Sequence, residues 1–575
     1  MTTTQHTDEG GELIQIQNAQ KYRQGYREKW TRRRFLKLSV EGTLSLAAVA
    51  VGGCGRTGTP STTEAATVNP GDATTSATES ALAVEPTPST TAAPTQSLRI
   101  AFATIPTQFD PAVWSTNSAI QLGFTVYEGL VRVDQQLAAQ PALAERWEVS
   151  EDLLTWTFML RQDVLFHHGT PFTARDVIYT YQRLLDPAVE SPLRSVLSFV
   201  SAIEAIDDGT PAGAVRFRLT TANADLPLLC AAPQALVIAH DYAIDALAKS
   251  PSGTGPFRVF ESIPGQRFSF IRNDQYWGID QIALQEVHHL YRPAFDERVA
   301  TLSAGEIDML VDISSEEAQL LTGMEDTTIA ESPSGAYLTV AMQATEAPFS
   351  DPRIRQALKL CLDHKAIQMS LLDGRGEIGL DHPVASISPF HADLSLPQRD
   401  IAQARQLLID AGYPDGLQLD LITAAVDPGM VQLATLVQEM AAPAGFDIRP
   451  TEVPADVYWS SYWMQVPFHI GSWNFRPSID ETFSIAYHSK SLWNESRWAD
   501  EELDALLDQA RSEADAEQRK ALYRQAQQIV MTRGAVMIPV FRSVLTAMRG
   551  NVKNFVPHPT GWLDLRGIEL AEPTP

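Results

Sequence analysis

Cysteine is nearly absent. The 575-residue chain has three: Cys54, Cys230 and Cys361. Three cannot build a disulfide framework. Cys361 falls with Ile354, Ala357 and Leu358 at helical spacing on one face and reads as a buried small hydrophobe. A Cys230–Cys361 bridge stays open for a chain in an oxidising compartment. Basic charge is also short, with 44 Lys and Arg against 70 Asp and Glu and a net charge of −26. A body this acidic has little with which to neutralise phosphates, which argues against nucleic-acid binding. After residue 54 no stretch reaches 18 uncharged apolar residues, so no membrane span is expected there. Neither H-E-x-x-H, nor G-x-S-x-G, nor a phosphate-cradling glycine loop occurs. The common hydrolase and nucleotide chemistries therefore have no carrier, and no cofactor is expected.

What is present begins with the segment Thr31 to Cys54. Thr31-Arg32-Arg33-Arg34-Phe35-Leu36-Lys37 opens it, and an apolar run from Leu38 to Val51 follows, broken by Ser39 and Glu41. A run of about 14 residues is too short to span a bilayer, which takes about 20. A charged start, a short apolar middle and small residues at the end describe an export signal. Arg32 and Arg33 resemble a twin-arginine signal. Val51-Gly52-Gly53-Cys54 resembles the lipobox of bacterial lipoproteins, and that resemblance makes Cys54 the lipid-bearing residue. Residues 1–54 carry eight Lys and Arg against five Asp and Glu, so the remainder carries −29 and suits a solvated extracytoplasmic surface. Residues 55–96, rich in Thr, Ser, Ala and Pro, cannot bury a core and read as a disordered tether. Their end-to-end distance is on the order of 35 Å.

At 575 residues the chain exceeds one core, so two or more lobes are expected. The folded body starts near Ser97. Leu98 to Thr104 and Thr155 to Arg161 alternate like strands, and Thr173 is placed to cap a helix running to about Leu185. Period-two runs exchange with amphipathic stretches such as ELDALLDQAR and KALYRQAQQIV, a mixed α/β pattern. Several motifs stand in order: PALAERWEVSED at 141–152, a W-T-F-x-L-R strand, F-H-x-G-T-P-F-T-A-x-D-V, then Gly253-Thr254-Gly255-Pro256-Phe257. They continue with Asn273 to Gly278 (NDQYWG), Ala304-Gly305-Glu306-Ile307-Asp308, and Phe349 to Leu358. Together these resemble family 5 solute-binding proteins of the peptide/nickel type, which serve ABC importers. The resemblance runs from about Leu98 to Phe555.

It implies a two-lobed α/β periplasmic-binding-protein fold of type II, with an extra subdomain on lobe I and a ligand cleft between the lobes. The division expected is 97–340 for lobe I, 341–535 for lobe II and 536–575 for the return, with crossings near Tyr337 to Val340 and Ala535 to Pro539. Peptide binders of the family carry a Trp followed by an aspartate that pairs with the peptide amine. Trp473 matches that Trp, but Arg476 stands at the aspartate position, with Asp480 four residues on. A guanidinium repels an ammonium and prefers carboxylate or phosphate, so a peptide-like or anionic ligand is favoured over a free-amine dipeptide. The stretch Thr423 to Gly429 also lacks the arginine that holds a dipeptide carboxylate. Trp473, Asn474, Arg476 and Asp480 from lobe II, with Trp114 and Thr116 from lobe I, are the ligand-binding candidates. The competing readings are that Arg476 pairs with Asp480 or Glu481 and that Trp114 belongs to the core. Tyr458, Trp459, Tyr462 and Trp463 sit at helical spacing and read first as helix packing. His167-His168 and His288-His289 are adjacent pairs whose side chains would point to opposite strand faces, so no metal site is expected.

The leading function is capture of a solute by lobe closure and delivery to two permease subunits with cytoplasmic ATPases, by a monomeric, lipid-anchored, extracytoplasmic protein. A sensor presenting its ligand to a membrane signalling partner would have the same fold. A hydrolase on this scaffold would need a nucleophile with a base, and the sequence offers no such set.

Overall fold

Ser97–Phe102 alternates as expected, with Leu98 and Ile100 fully buried. The computed structural model describes residues 96–571, apart from 105, 107, 108, 115, 116, 248 and 249. Arg32, Arg33, Cys54 and Thr116 lie outside the described residues. Ser97–Phe102 pairs in parallel with Glu286–Tyr291 and Met309–Val311. Parallel neighbours need long crossovers, and the crossover to Glu286–Tyr291 holds a whole subdomain. Its sheet runs Ala144–Val149, Thr155–Leu160, Ala214–Leu219, Val200–Ile206, all antiparallel. The helix Ala174–Leu185 packs on that sheet. The Asp176 carboxylate accepts from the Thr173 backbone N–H at 2.8 Å, closing a capping box at the helix start. Phe158, Val177, Tyr181 and Phe217 fill the core between them.

A second half-sheet repeats the logic. Leu417–Thr423 runs parallel to Phe446–Glu452 and to Phe468–Trp473, and the helix Met430–Ala441 makes the first crossover. Its core gathers Leu338, Leu358, Cys361, Leu433, Ile470, Phe483 and Tyr523. Ile354, Ala357, Leu358 and Cys361 are all fully buried, as their spacing predicts. Cys230 and Cys361 are free thiols in two different cores, so the bridge left open above does not form here.

Two long strands join the halves. Thr327–Met342 and Val540–Arg549 are antiparallel neighbours at the centre of the twelve-stranded sheet. Their outer halves pair with opposite lobes: Met309–Val311 lies against Met548 to Thr546, while Phe468–Trp473 lies against Met342 to Tyr337. Between Ser332 and Ala336 the register shifts, so Pro333, Ser334 and Gly335 bulge opposite Ser543 alone. A Cβ at Gly335 would lie 2.2 Å from the Phe475 ring, so only glycine fits there.

One carboxylate explains several of the motifs together. Glu128 accepts hydrogen bonds from Thr254 Oγ1 (3.0 Å), Tyr276 OH (2.9 Å) and Trp277 Nε1 (3.0 Å). It thereby ties the Tyr127-Glu128-Gly129 turn to the Gly253–Phe257 and Asn273–Gly278 segments. Gly253 and Gly255 allow this approach, since a Cβ on either would meet the Val126 carbonyl oxygen at 2.2 or 2.7 Å. The Arg161 guanidinium covers Trp277 at 3.9 Å. Burial pushes the Glu128 carboxyl up to about 7 against the pull of those three donors. A carboxyl raised in the native state supports folding fully below its unfolded value, and that support is lost as pH rises through about 7. The contribution is on the order of 3 kcal/mol. Wild-type thermal stability should therefore fall between about pH 5 and pH 7.5, and Glu128→Gln should flatten that slope in a pH series of melting curves. A variant that keeps the slope would place the titration elsewhere.

Candidate functional site

The strand directions locate the site. Trp473, the carboxyl end of its strand, opposes Tyr337, and Val311, the carboxyl end of the first-lobe strand, opposes Thr546. Both positions lie a few residues from the Pro333–Gly335 bulge, on opposite sides of it. The carboxyl edges of the two half-sheets thus face each other across the crossing strands. Open α/β sheets take their ligands outside the carboxyl ends of the strands.

On the first lobe this edge holds a cavity of about 80 Å³ lined by Phe102, Thr104, Asn117, Gln121, Arg298 and Asp312, among others. Asp312 accepts from Asn117 Nδ2 at 3.1 Å, and Arg298 donates to Glu317 at 2.7 Å. The Gln121 amide donates to the Gly561 carbonyl, while its Oε1 is buried without a partner.

On the second lobe the edge is built around a buried glutamate. Glu495 accepts from Thr339 Oγ1 (2.8 Å), Trp463 Nε1 (2.7 Å) and Trp473 Nε1 (2.9 Å), and His469 Nε2 stands 3.4 Å away. Thr339, His469, Gly471 and Trp473 share one sheet face by strand alternation. A Cβ on Gly471 would lie 2.6 Å from Glu495 Oε2, which leaves only glycine there. Burial raises the Glu495 carboxyl, but the His469 contact and the indole donors outweigh it and hold the group below the usual carboxylate range.

Trp473 is therefore a buried anchor, and the chain beyond it turns into the edge. Arg476 sits over the Trp473 ring at 5.6 Å and donates to Glu481 Oε1 (3.1 Å) and to the Asn474 carbonyl (3.1 Å). The pairing with Glu481 is the alternative read from the sequence, and it leaves the side chain about one fifth exposed. Asp480 is buried, bonded by Arg511 Nε (3.0 Å), Ser484 Oγ (3.0 Å) and Asn223 Nδ2 (3.1 Å). Burial pushes the Asp480 and Glu481 carboxyls up, with Arg511 and Arg476 pulling back.

Trp473, Asn474, Arg476 and Asp480 thus fall in one stretch, but Trp114 does not join them. Its ring is buried against Tyr127, with Gly123 making room for it. Tyr458 is buried and donates to the Ile470 carbonyl, whereas Trp459 is 41% exposed. The helix ends at Ser461, so Tyr462 and Trp463 leave its periodicity. His167 and His168 bind the Ser252–Gly255 turn, and His288 bridges Ser97 and Ser269. Burial drives His289, between Phe102 and Phe270, down to about 3. Among the described residues no group of His, Cys, Asp and Glu could hold a metal ion. Sequence reasoning missed Arg542. From the second crossing strand it donates to Ser472 Oγ (3.2 Å) and lies 3.8 Å from Asp427. Its signal was an arginine in the otherwise apolar run Val536 to Leu545.

Comparisons with known proteins fit this architecture. A model described as bacterial extracellular solute-binding proteins, family 5 middle, matches residues 138–495. A heme-binding protein A of Haemophilus influenzae is 27% identical, over 81% of this chain and 91% of its own length. A dipeptide-binding protein of Bacillus subtilis is 24% identical, over 80% of this chain and 89% of its own. Among solved structures, an ABC transporter substrate-binding protein of Listeria monocytogenes superposes with a TM-score of 0.74 at 21% identity, covering 83% of this chain and 99% of that one.

Removing the Glu495 carboxylate strips one acceptor from three donors and leaves His469 unpaired in the core. Glu495→Ala should cost at least ~3 kcal/mol in chemical denaturation, with a shift of tryptophan emission as Trp463 and Trp473 lose their partner. A loss under ~1 kcal/mol would show that water replaces the carboxylate freely.

Proposed function

Because the chain belongs to the bacterial extracellular solute-binding proteins of family 5, and is a binding protein rather than an enzyme, we propose that it captures a peptide-like or anionic solute between its lobes and delivers it to an ABC permease. The observation that carries this reading is the facing of two carboxyl strand edges across a bulged pair of crossing strands, with Arg476 over Trp473 at the second edge. The amine-binding position carries a cation, Arg476, held in place by Glu481 and the Asn474 carbonyl. Asp480 acts beneath them through Arg511 rather than on the solute. The Bacillus subtilis relative is a dipeptide-binding protein and the Haemophilus influenzae one a heme-binding protein. Both names fit a cleft that takes solutes larger than single ions.

The export segment supports the rest. Arg32 and Arg33 direct translocation, and Cys54 carries the lipid that holds the monomeric body at the extracytoplasmic side of the cell membrane. Protein extracted from membranes should have a mature mass beginning at lipid-modified Cys54, and Cys54→Ala should shift the chain to the soluble fraction. A mature mass that includes residues 1–53 would refute the processing.

Native mass spectrometry should show an extra mass that is lost on denaturation and carries an anionic group. Arg476→Ala should weaken that solute at least tenfold, about 1.4 kcal/mol. Unchanged affinity would leave Arg476 a loop residue bound to Glu481.

A further inference from the structure

Among the described residues, besides the crossing strands, one polar cluster joins the subdomain of the first lobe to the second lobe. It is centred on Asp225, at the start of the Leu226–Leu229 turn, whose side chains lie in the subdomain core. Opposite it stand Ser478, Asp480, Arg511 and Arg519, on helices whose apolar faces fill the second-lobe core. Asp225 pairs with Arg519 at 2.6 Å and accepts from Ser478 Oγ (2.6 Å) and the Asp480 backbone N–H (3.4 Å). Asn223 Nδ2 donates to Asp480 Oδ2 at 3.1 Å, and the Ala224 N–H donates to the Arg511 carbonyl at 3.0 Å. Asn223, Asp225, Ser478, Asp480 and Arg519 are all buried.

We infer that this Asn223–Asp225 contact is a detachable clasp that holds the two lobes together and sets how readily the cleft opens. Three features fit a joint that parts and re-forms. The Asn223–Asp225 cluster itself is polar, so desolvation offsets much of its attraction, and beside it Ile387 and Phe475 of the second lobe pack against the subdomain core. Each side keeps its own support when separated. Asp480 retains Arg511 and Ser484, and Arg519 retains the Ala510 carbonyl and the Phe390 and Tyr523 rings, all within the second lobe. On the first lobe the Asp225 N–H stays bonded to Asn223 Oδ1 at 2.7 Å, which preserves the turn. Separation therefore hands the Asp225 carboxylate and the Arg519 guanidinium to water, together with the Asn223 amide, the Ala224 N–H and the Ser478 hydroxyl, which water can pair. The contact also lies far along the chain from both crossing strands, so rotation about the bulge changes its geometry without breaking a strand ladder. This inference rests on the reading that the lobes move to admit cargo.

The test uses full-length protein with dyes on Glu151→Cys in the first lobe and Gln406→Cys in the second, both exposed positions, alongside hydrogen exchange read on the peptide containing Ala224. Asp225→Asn and, separately, Asn223→Ala should each raise exchange at Ala224 at least tenfold and increase the long-separation population at least threefold. Exchange in Thr155–Leu160 and Leu417–Thr423 should stay at wild-type rates, which shows that both cores remain folded. If neither variant changes the dye separation, the clasp is overturned, whether or not Ala224 exchanges faster. A pool of dipeptides added to wild type separates the two ideas. A shift with peptides but none with the variants removes the clasp and keeps lobe closure. A single separation under every condition removes both.

Discussion

The pair of crossing strands is the constraint on which the rest depends. Thr327–Met342 is sixteen residues long and serves both halves of one twelve-stranded sheet. Its first part pairs with the return strand beside the first lobe, and its last part carries the second lobe's sheet through Phe468–Trp473. Backbone ladders resist shear because each slipped residue would orphan buried N–H and C=O groups. Bending is another matter. Three residues, Pro333, Ser334 and Gly335, face one on the return strand, so there the ladder already lacks bonds to break. The sheet is thus stiff on both sides and compliant at one place. That place lies between the two edges where side chains can meet a solute.

Two glutamates, one partly and one fully enclosed, organise the lobes, and their contrast shows how environment decides charge. Glu128 and Glu495 each receive three side-chain hydrogen bonds from hydroxyl and indole donors. Burial wins at Glu128 over its three donors and the opposing pull of Arg161, which lies on the Trp277 face. At Glu495 the imidazole of His469 adds a fourth donor and a charge partner, and the balance tips the other way. Neither site has room for a substitute on the facing backbone: glycine stands at 253, 255 and 471 because a Cβ would strike the partner.

Local signals were legible in the sequence, and distant ones were not. The helix capped at Thr173, the buried face of Cys361 and the strand of alternating Leu98 and Ile100 follow from spacing over a few residues. The Arg476–Glu481 pair, five residues apart, stood among the alternatives for the same reason. Trp114 shows the limit. An aromatic in a loop can face a solute or the core, and only Gly123, nine residues on, makes the space that draws it inward. The Asn223–Asp480 contact spans more than 250 residues, and Arg542 reaches Ser472 across an intervening strand. No periodicity encodes such pairings, since they depend on which faces the crossing strands bring together.

Charge at the second edge bears on what the cleft accepts. Arg476 is not a bare cation, because Glu481 takes its Nε and the Asn474 carbonyl takes one terminal nitrogen. Glu481 in turn is largely enclosed and raised by desolvation, so the pair is held by mutual need rather than by surplus attraction. An ammonium arriving here would be repelled by the guanidinium, whose charge Glu481 only partly offsets. A carboxylate or similar anion would meet the remaining guanidinium donors directly and share Arg476 with Glu481. On the proposed reading, the guanidinium donors that Glu481 and the Asn474 carbonyl leave free are what would favour an acidic or amine-blocked group over an ammonium.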